Sequence, residues 1–376
     1  KDISIDFTRA TSGTNLGAVA QLANQQVQAY MNGNATPDTS SQLYSFLLAG
    51  MQAQGSFYIQ QELQQLEPSL HYSTASSASS ASQQNFSSQQ SCGGAATATV
   101  DPISQGECSW AKYSRHNSRR DSVQHAYVSD SLMMGRQWEV AENLYLGLSG
   151  SYASVQGSSP VASSNGDRLG LGAIVKYVRG DSFGSVALIG SYDWVKGARS
   201  VTSGTLNQSL TARMNQEVGI LGGQLRLGHR LLRAPVDIIA RADFDALLVH
   251  DFGYTEQGAG AFNLRVAPKS SFLFNVNPML QISKQLKWGN SAFRLYSEVG
   301  PKWLLNDIKS RVALAQGFNS SFTSDIRHQR EETLMTYGFG AISELSENLE
   351  LRINYNIADG SDFYSNEFGI KLALKF

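Results

Sequence analysis

Side chains that could carry chemistry are scattered through this 376-residue sequence. Ser182 follows Asp181 in the run Gly-Asp-Ser-Phe, where a nucleophilic serine would need a histidine base and an oxyanion site. No motif supplies either of these, so we interpret the run as a tight turn. The six histidines lack the short spacings that bind a metal ion; they are His71, His116, His125, His229, His250 and His328. We predict no catalytic residue, no cofactor and no metal.

The two cysteines, Cys92 and Cys108, are close together in sequence. An oxidising compartment would join them, closing a loop of about 15 residues that stabilises the chain by roughly 3 kcal/mol. Two free thiols are the alternative. We predict the Cys92–Cys108 disulfide.

Composition excludes one class of partner and leaves the fold class open. The net charge of −1 argues against nucleic acid, whose phosphates attract a strongly basic surface. Mean hydropathy is slightly negative, and no apolar run approaches the ~20 residues of a membrane helix. Neither measure detects a membrane-spanning barrel strand, because only every second residue of such a strand faces lipid. The 34 glycines and 10% aromatic residues suit long, curved, paired strands.

From Trp110 to Phe376, apolar residues recur at every second position. The runs extend over about 9 to 14 residues, longer than strands of globular sheets, and therefore favour membrane strands over a soluble sandwich. The last strand is the clearest, with one apolar row of Phe368, Ile370, Leu372, Leu374 and Phe376. Charges on the opposite face predict a wet lumen lined by Glu217, Arg241, Asp243, Asp245, Arg294, Glu298 and Lys302.

The connections between these runs alternate strictly between short turns and long polar loops, which include residues 115–121, 156–167, 196–208 and 254–265. Outer-membrane barrels have short periplasmic turns and long external loops, so the alternation predicts twelve strands with both chain ends periplasmic. Trp138 and Trp288 then lie at the inner interface, and Trp194 and Trp303 lie at the outer one. Because hydrocarbon cannot satisfy an open sheet edge, the first and last strands must pair. The predicted fold is an all-β transmembrane, 12-stranded antiparallel outer-membrane β-barrel.

Two segments precede the barrel. Residues 1–72 show helical spacing of apolar residues, and residues 73–108 are rich in Ser, Ala and Gln. The second segment is either a flexible linker or contains a polar helix from Thr74 to Gln90, about 25 Å long. The barrel domain is assigned to 109–376. We also expect the chain to begin partway through a longer precursor.

Together, these features resemble the translocator β-domain of autotransporters, the type V secretion proteins. The barrel opens at Trp110 in Cys-Ser-Trp-Ala-Lys-Tyr-Ser-Arg, and the final apolar row is similar to the signal that the barrel-assembly machinery recognises. Upstream, Glu67, Ser69 and His71 match the short helical motif that precedes many such barrels, and Pro68 departs from it.

The resemblance implies outer-membrane localisation and export of an N-terminal passenger to the cell surface. It also implies one helix in the pore, for which 74–90 is favoured over Gln42–Leu66, whose apolar side chains would be wasted in a wet lumen. The expected partners are the chain's own passenger, the assembly machinery, outer-membrane lipid and lipopolysaccharide, and the expected state is a monomer. Lipopolysaccharide phosphates could contact an external basic cluster comprising Arg115, His116, Arg119 and Arg120. The alternative is that these residues belong to a solvated loop.

Other functions remain open at this point. Some autotransporters cut their own passenger with lumen carboxylates, here Glu217, Asp243, Asp245 or Glu298, although pairing with arginine is the alternative role. No paired asparagines precede the barrel, as they do in the best-known self-cleaving group. A porin- or adhesin-like barrel without a passenger leaves the helical region unexplained. An outer-membrane barrel enzyme would need a Ser-His or Asp-His constellation at its outer rim.

Overall fold

The computed structural model describes the part of the chain comprising residues 81–83, 85–90, 92, 106–121, 124–203, 208–233, 235–288, 291–306, 309–314, 324–327 and 333–376. Its strands are β1 (Cys108–Arg120), β2 (His125–Ala141), β3 (Leu144–Ser158), β4 (Ala162–Arg179), β5 (Ser182–Ser203), β6 (Gln208–Leu232), β7 (Asp237–Asp251), β8 (Tyr254–Thr255), β9 (Leu264–Val266), β10 (Lys269–Trp288), β11 (Ser291–Leu304), β12 (Lys309–Leu314), β13 (Ser324–Arg327), β14 (Thr333–Glu344), β15 (Leu349–Asp359) and β16 (Phe363–Lys375). Residues 81–83 and 85–90 are helical and are called the pore helix below.

Twelve strands form the closed antiparallel barrel that the sequence predicts. The closure joins β1 to β16, with Cys108 opposite Lys375 and Arg120 opposite Phe363. The seam is therefore hydrogen-bonded along the whole of β1, as a sheet in hydrocarbon requires. The remaining strands, β8, β9, β12 and β13, form a separate four-stranded sheet.

The strands are longer than the sequence predicts. β5 has 22 residues and β6 has 25, and their pairing runs from Ser182–His229 to Ser203–Gln208. Most of the predicted loops 115–121, 156–167 and 196–208 belong to strands. The predicted loop 254–265 contains β8, a short 3-10 helix (Gly260–Phe262) and β9. Polar residues do not end a strand here, because backbone pairing continues beyond the apolar band.

The apolar rows face outward, as predicted from the period of two. In β16, Phe368, Ile370, Leu372 and Leu374 are 37% to 46% exposed, whereas the alternate residues Glu367 and Lys371 are buried. Trp194 and Trp303 are also exposed, at 43% and 41%. These rows place lipid outside and the charged side chains inside.

Candidate functional site: a helix held in the barrel lumen

The pore helix is enclosed by the barrel and contacts opposite parts of its wall. The Ser82 hydroxyl is 3.2 Å from that of Ser191 on β5. At the other end, the Gln90 amide donates to the Gln224 side chain on β6 at 3.0 Å. Lys302 on β11 donates to the Gln83 side chain. The helix therefore occupies the lumen rather than lying outside it.

This position bears out the prediction of one helix in the pore. The helical residues 81–90 belong to the predicted segment 74–90, whose first seven residues lie outside the described part of the chain. The rival segment Gln42–Leu66 and the whole of 1–72 also lie outside it.

Phe86 anchors the helix in an apolar patch that the sequence did not reveal. Its side chain is completely buried. It packs on one wall of the barrel, formed by the consecutive strands β4, β5, β6, β7 and β10. The apolar side chains of this wall are Ile174, Ala187, Ile189, Val218, Ile220, Leu247, Val249 and Leu273. The polar helix therefore also makes an apolar contact with the barrel wall, through Phe86.

Three lysines from the barrel wall bind the C-terminal end of the helix. Lys176 donates to the Gln90 carbonyl at 2.7 Å, and Lys371 donates to the Ser88 carbonyl at 2.8 Å. Lys112 donates to the Ser88 hydroxyl at 3.0 Å. The last carbonyls of a helix lack intrahelical partners and carry partial negative charge, so ammonium groups both satisfy and stabilise this end.

The fit between helix and wall depends on one close approach to a strand. A Cβ added at Gly172 on β4 would lie 2.0 Å from the Gln89 amide nitrogen. Ser185 on the neighbouring β5 donates to the Gln90 side chain at 2.8 Å. A larger residue than glycine at 172 would therefore require the Gln89 side chain to move.

The disulfide joins the region after the helix to the start of the first strand. Cys92 and Cys108 are bonded, with Cα atoms 5.9 Å apart. Both are buried beside Trp110, Met133 and Ala373. The connection limits how far the exit of the pore helix can move from β1.

Most of the predicted lumen charges face inward, in paired arrangements. Arg226 binds Asp243 at 2.6 Å, and Arg241 binds Glu298 at 2.7 Å. Arg294 pairs with Asp237. Asp245 accepts from the Gln224 amide at 2.8 Å. Together they help to line a polar cavity beside the helix, with Gln83, Arg241, Asp243, Asp245, Glu298 and Lys302 among its lining residues.

Glu217 is an exception and corrects our prediction. Its side chain is exposed on the outer face, where the Tyr192 hydroxyl donates to it. Its neighbours Gln216 and Val218 are the residues buried in the lumen. Glu217 lies at the outer end of the apolar band, where the outer face of the strand also carries polar side chains and a charge does not identify the inner face.

A further lumen ion pair was missed because Arg168 directly follows a predicted loop and Asp193 directly precedes Trp194. Arg168 on β4 makes two hydrogen bonds to the Asp193 carboxylate, at 2.7 and 2.6 Å, and a third to the Tyr127 hydroxyl. All three side chains are buried. Arg168 precedes the outward residue Leu169, and Asp193 precedes the outward residue Trp194. This alternation could have placed both charged side chains in the lumen.

The predicted external basic cluster is divided between two faces of β1. Arg115 and Arg119 are exposed on the outer face. His116 and Arg120 are buried on the inner face, where Arg120 binds Asp362 at 3.1 Å. Successive residues of a strand point to opposite sides, so the four cannot act as one patch.

The Gly-Asp-Ser-Phe run forms the tight turn expected from the sequence, with Gly180 at φ +62°. The structure does supply a histidine, since the Ser182 hydroxyl is 2.9 Å from Nδ1 of His229, its exposed cross-strand neighbour. Arg233, however, binds the Asp181 carboxylate and lowers its pKa from the usual value. The aspartate is therefore engaged by arginine rather than orienting the histidine.

None of the helices in the described part of the chain has the length and apolarity to cross a membrane. No group of three or more His, Cys, Asp or Glu side chains in that part of the chain is arranged to hold a metal ion.

Replacing Phe86 with Ala should loosen the pore helix. The change removes the only aromatic side chain from the apolar patch around the helix, and burial losses of this kind cost about 3–5 kcal/mol. We expect faster amide hydrogen exchange in residues 81–90 of the folded barrel. Ser87→Ala, at an exposed position of the same helix, is the matched control. Unchanged exchange in Phe86→Ala would show that polar contacts alone hold the helix.

The disulfide should be formed in cells. Cys92 and Cys108 are both buried and already bonded in the folded chain. Alkylation under denaturing conditions immediately after lysis should therefore label neither residue unless a reductant is added first. Two alkylated cysteines without reductant would contradict the prediction.

The fold and its occupied lumen define an outer-membrane barrel with an internal helix. The autotransporter beta-domain family model matches residues 108–356, and the chain belongs to this family. It is similar to the translocator domain of autotransporter NalP from Neisseria meningitidis, at a TM-score of 0.61 and 15% identity, covering 82% of this chain and 100% of that one. The beta domain of the Bordetella autotransporter BrkA gives a TM-score of 0.53 at 17% identity, covering 72% and 100%. No curated protein sequence matches the chain.

The family and the fold fix the cellular role. The chain is an outer-membrane barrel that serves passenger export, as the sequence resemblance implied. The main alternative, a porin-like barrel without a passenger, is therefore rejected.

Proposed function

We propose that the barrel exports the segment that precedes it and then retains the pore helix as a plug. The contact that carries this proposal is the fit of Phe86 into the apolar wall, together with the three lysines at the helix C-terminus. An unoccupied pore would have no use for such a patch in its lumen. The plug preserves the permeability barrier once export is complete.

We further propose that the lumen carboxylates stabilise the barrel and do not cleave the passenger. Asp243 and Glu298 are each bound by an arginine, and Asp245 accepts from Gln224. A carboxylate that acts as a general base needs a free lone pair directed at its substrate. We also propose that the barrel is a monomer and that the assembly machinery recognises its final apolar row. On the outer face, Arg115 and Arg119 lie near lipopolysaccharide phosphates.

A direct test is the export of a reporter. A small epitope-tagged domain fused before residue 1 should become sensitive to added protease in intact cells. As a matched control, one residue inserted between Leu349 and Ile357 reverses the faces of β15 and should abolish both insertion and display. A wild-type barrel that inserts fully but leaves the reporter protected from protease would overturn the export proposal.

A further inference from the structure

The lipid-facing apolar band of the barrel differs in width from strand to strand. On β4 the outward side chains between Asp167 and Arg179 are all apolar, and there are five of them: Leu169, Leu171, Ala173, Val175 and Tyr177. On β10 the run between Ser270 and Lys284 contains six: Phe272, Phe274, Val276, Pro278, Leu280 and Ile282.

The band is much narrower at β1 and β2. On β2 only Leu132 and Met134 separate the outward residues Asp130 and Arg136. On the adjoining β1 the outward residues below Arg115 are Ser109, Ala111 and Tyr113. The uninterrupted apolar row is therefore about half as long on β2 as on β4, although Val128 lies outward above Asp130, and Trp138 and Val140 lie outward below Arg136.

The upper edge of the narrow region is an ion pair on the outer surface. Arg115 Nη1 lies 3.5 Å from Asp130 Oδ2, and these side chains are 52% and 37% exposed. The Tyr113 hydroxyl donates to Asp130 Oδ1 at 2.7 Å. On the other side of β1, Arg115 is opposite Phe368, a member of the apolar row of β16. The charges therefore lie beside residues that face lipid chains.

The lower edge is Arg136. Its guanidinium is 5.5 Å from the Trp138 ring centroid and 5.1 Å from that of Phe376. Cation–π stacking on interfacial aromatic rings is typical of a residue at the membrane boundary. Both edges of the band on β2 thus carry side chains that avoid hydrocarbon.

The widths can be expressed as lengths along the barrel axis. A strand rises about 3.3 Å per residue, and a tilt of about 40° leaves roughly 2.5 Å per residue along the axis. The span from Arg179 to Asp167 is then about 30 Å, which matches a hydrocarbon core, and that from Arg136 to Asp130 is only about 15 Å. A tilt of the whole barrel shifts the band but leaves the width on one strand unchanged.

We propose that the bilayer is locally thinned where it meets the outer face of β1 and β2. There the outer-leaflet headgroups descend to Arg115 and Asp130, and the inner ones rise toward Arg136. Lipid headgroups are the occupants that suit this surface, because they hydrate both charges without burying them in hydrocarbon.

Fluorescence quenching by depth tests the proposal on the full chain. Single cysteines replacing Leu132, Met134 or Ala173 are labelled with a small environment-sensitive fluorophore, since the native cysteines are bonded to each other. The barrels are folded into phosphatidylcholine vesicles with C14 chains, containing nitroxide lipid labelled either in the headgroup or at the chain end. Labels at 132 and 134 should be quenched severalfold more strongly by the headgroup nitroxide than the label at 173. A label at either position that is as deep as the one at 173 overturns the proposal.

A second measurement assigns the effect to the ion pair. Arg115→Leu combined with Asp130→Leu makes the outer row apolar and should shift quenching of the label at 132 toward the chain-end nitroxide. Asp167→Leu is the matched control, because Asp167 accepts from Tyr152 at 2.6 Å in the same manner but bounds a full-width band. It should leave the label at 132 unchanged. A double variant that folds, judged by heat-modifiable gel mobility, and leaves quenching at 132 unaltered contradicts the role of the pair.

Discussion

Deletion of residues 1–91 should raise the conductance of the purified barrel severalfold in planar bilayers. The deletion removes the whole pore helix, whose Phe86, Ser88 and Gln90 contact the wall. It leaves both cysteines and every strand in place. A lumen lined by paired charges then fills with water and passes ions, as the lumens of open barrels do.

A shorter deletion provides the control. Removal of residues 1–72 keeps the helical segment and should leave the conductance as low as in the full chain. If all three proteins show the same small conductance, the helix does not close the pore, and the plug proposal fails. If the shorter deletion already raises the conductance as much as the longer one, the closing element lies before residue 73.

Replacement of both Leu374 and Phe376 by Ser should severely reduce the amount of barrel in the outer membrane. The two side chains are 46% and 67% exposed to the surrounding lipid, so their loss from a finished barrel costs only a few kcal/mol of transfer free energy. If the proposed assembly signal is correct, the final strand is recognised before the barrel exists, and its edge must then pair with β1. Assembly should therefore suffer more than stability.

The measurement is the yield of folded protein in the membrane fraction, with its melting followed by heat-modifiable gel mobility. Leu169→Ser combined with Leu171→Ser, two lipid-facing residues of β4 that are 50% and 75% exposed, is the matched control. We expect the control to insert at a higher yield than the C-terminal variant. Insertion of the C-terminal variant at wild-type yield would remove the assembly-signal interpretation of this row.

The barrel itself could be predicted from the sequence because the pattern that specifies each membrane strand lies within that strand. Each membrane strand repeats a period of two, and each short turn joins two such runs, so strand number and outward rows follow directly. The row from Phe368 to Phe376 and the closure onto β1 are examples. Prediction weakened toward the outer end of the apolar band, where polar side chains occur on both faces of a strand. There, the charge on Glu217 carried no information about its side, and polar stretches assigned to loops continued as paired strands.

Only the tertiary structure decided how the lumen is filled. The patch that receives Phe86 is assembled from five strands, and the lysines that bind the helix come from β1, β4 and β16. Residues so far apart along the chain, such as Lys112 and Lys371, meet because the barrel closes. No local pattern marks an inward isoleucine or lysine as a partner of the helix, since its role depends on which side chains the closed sheet brings opposite it.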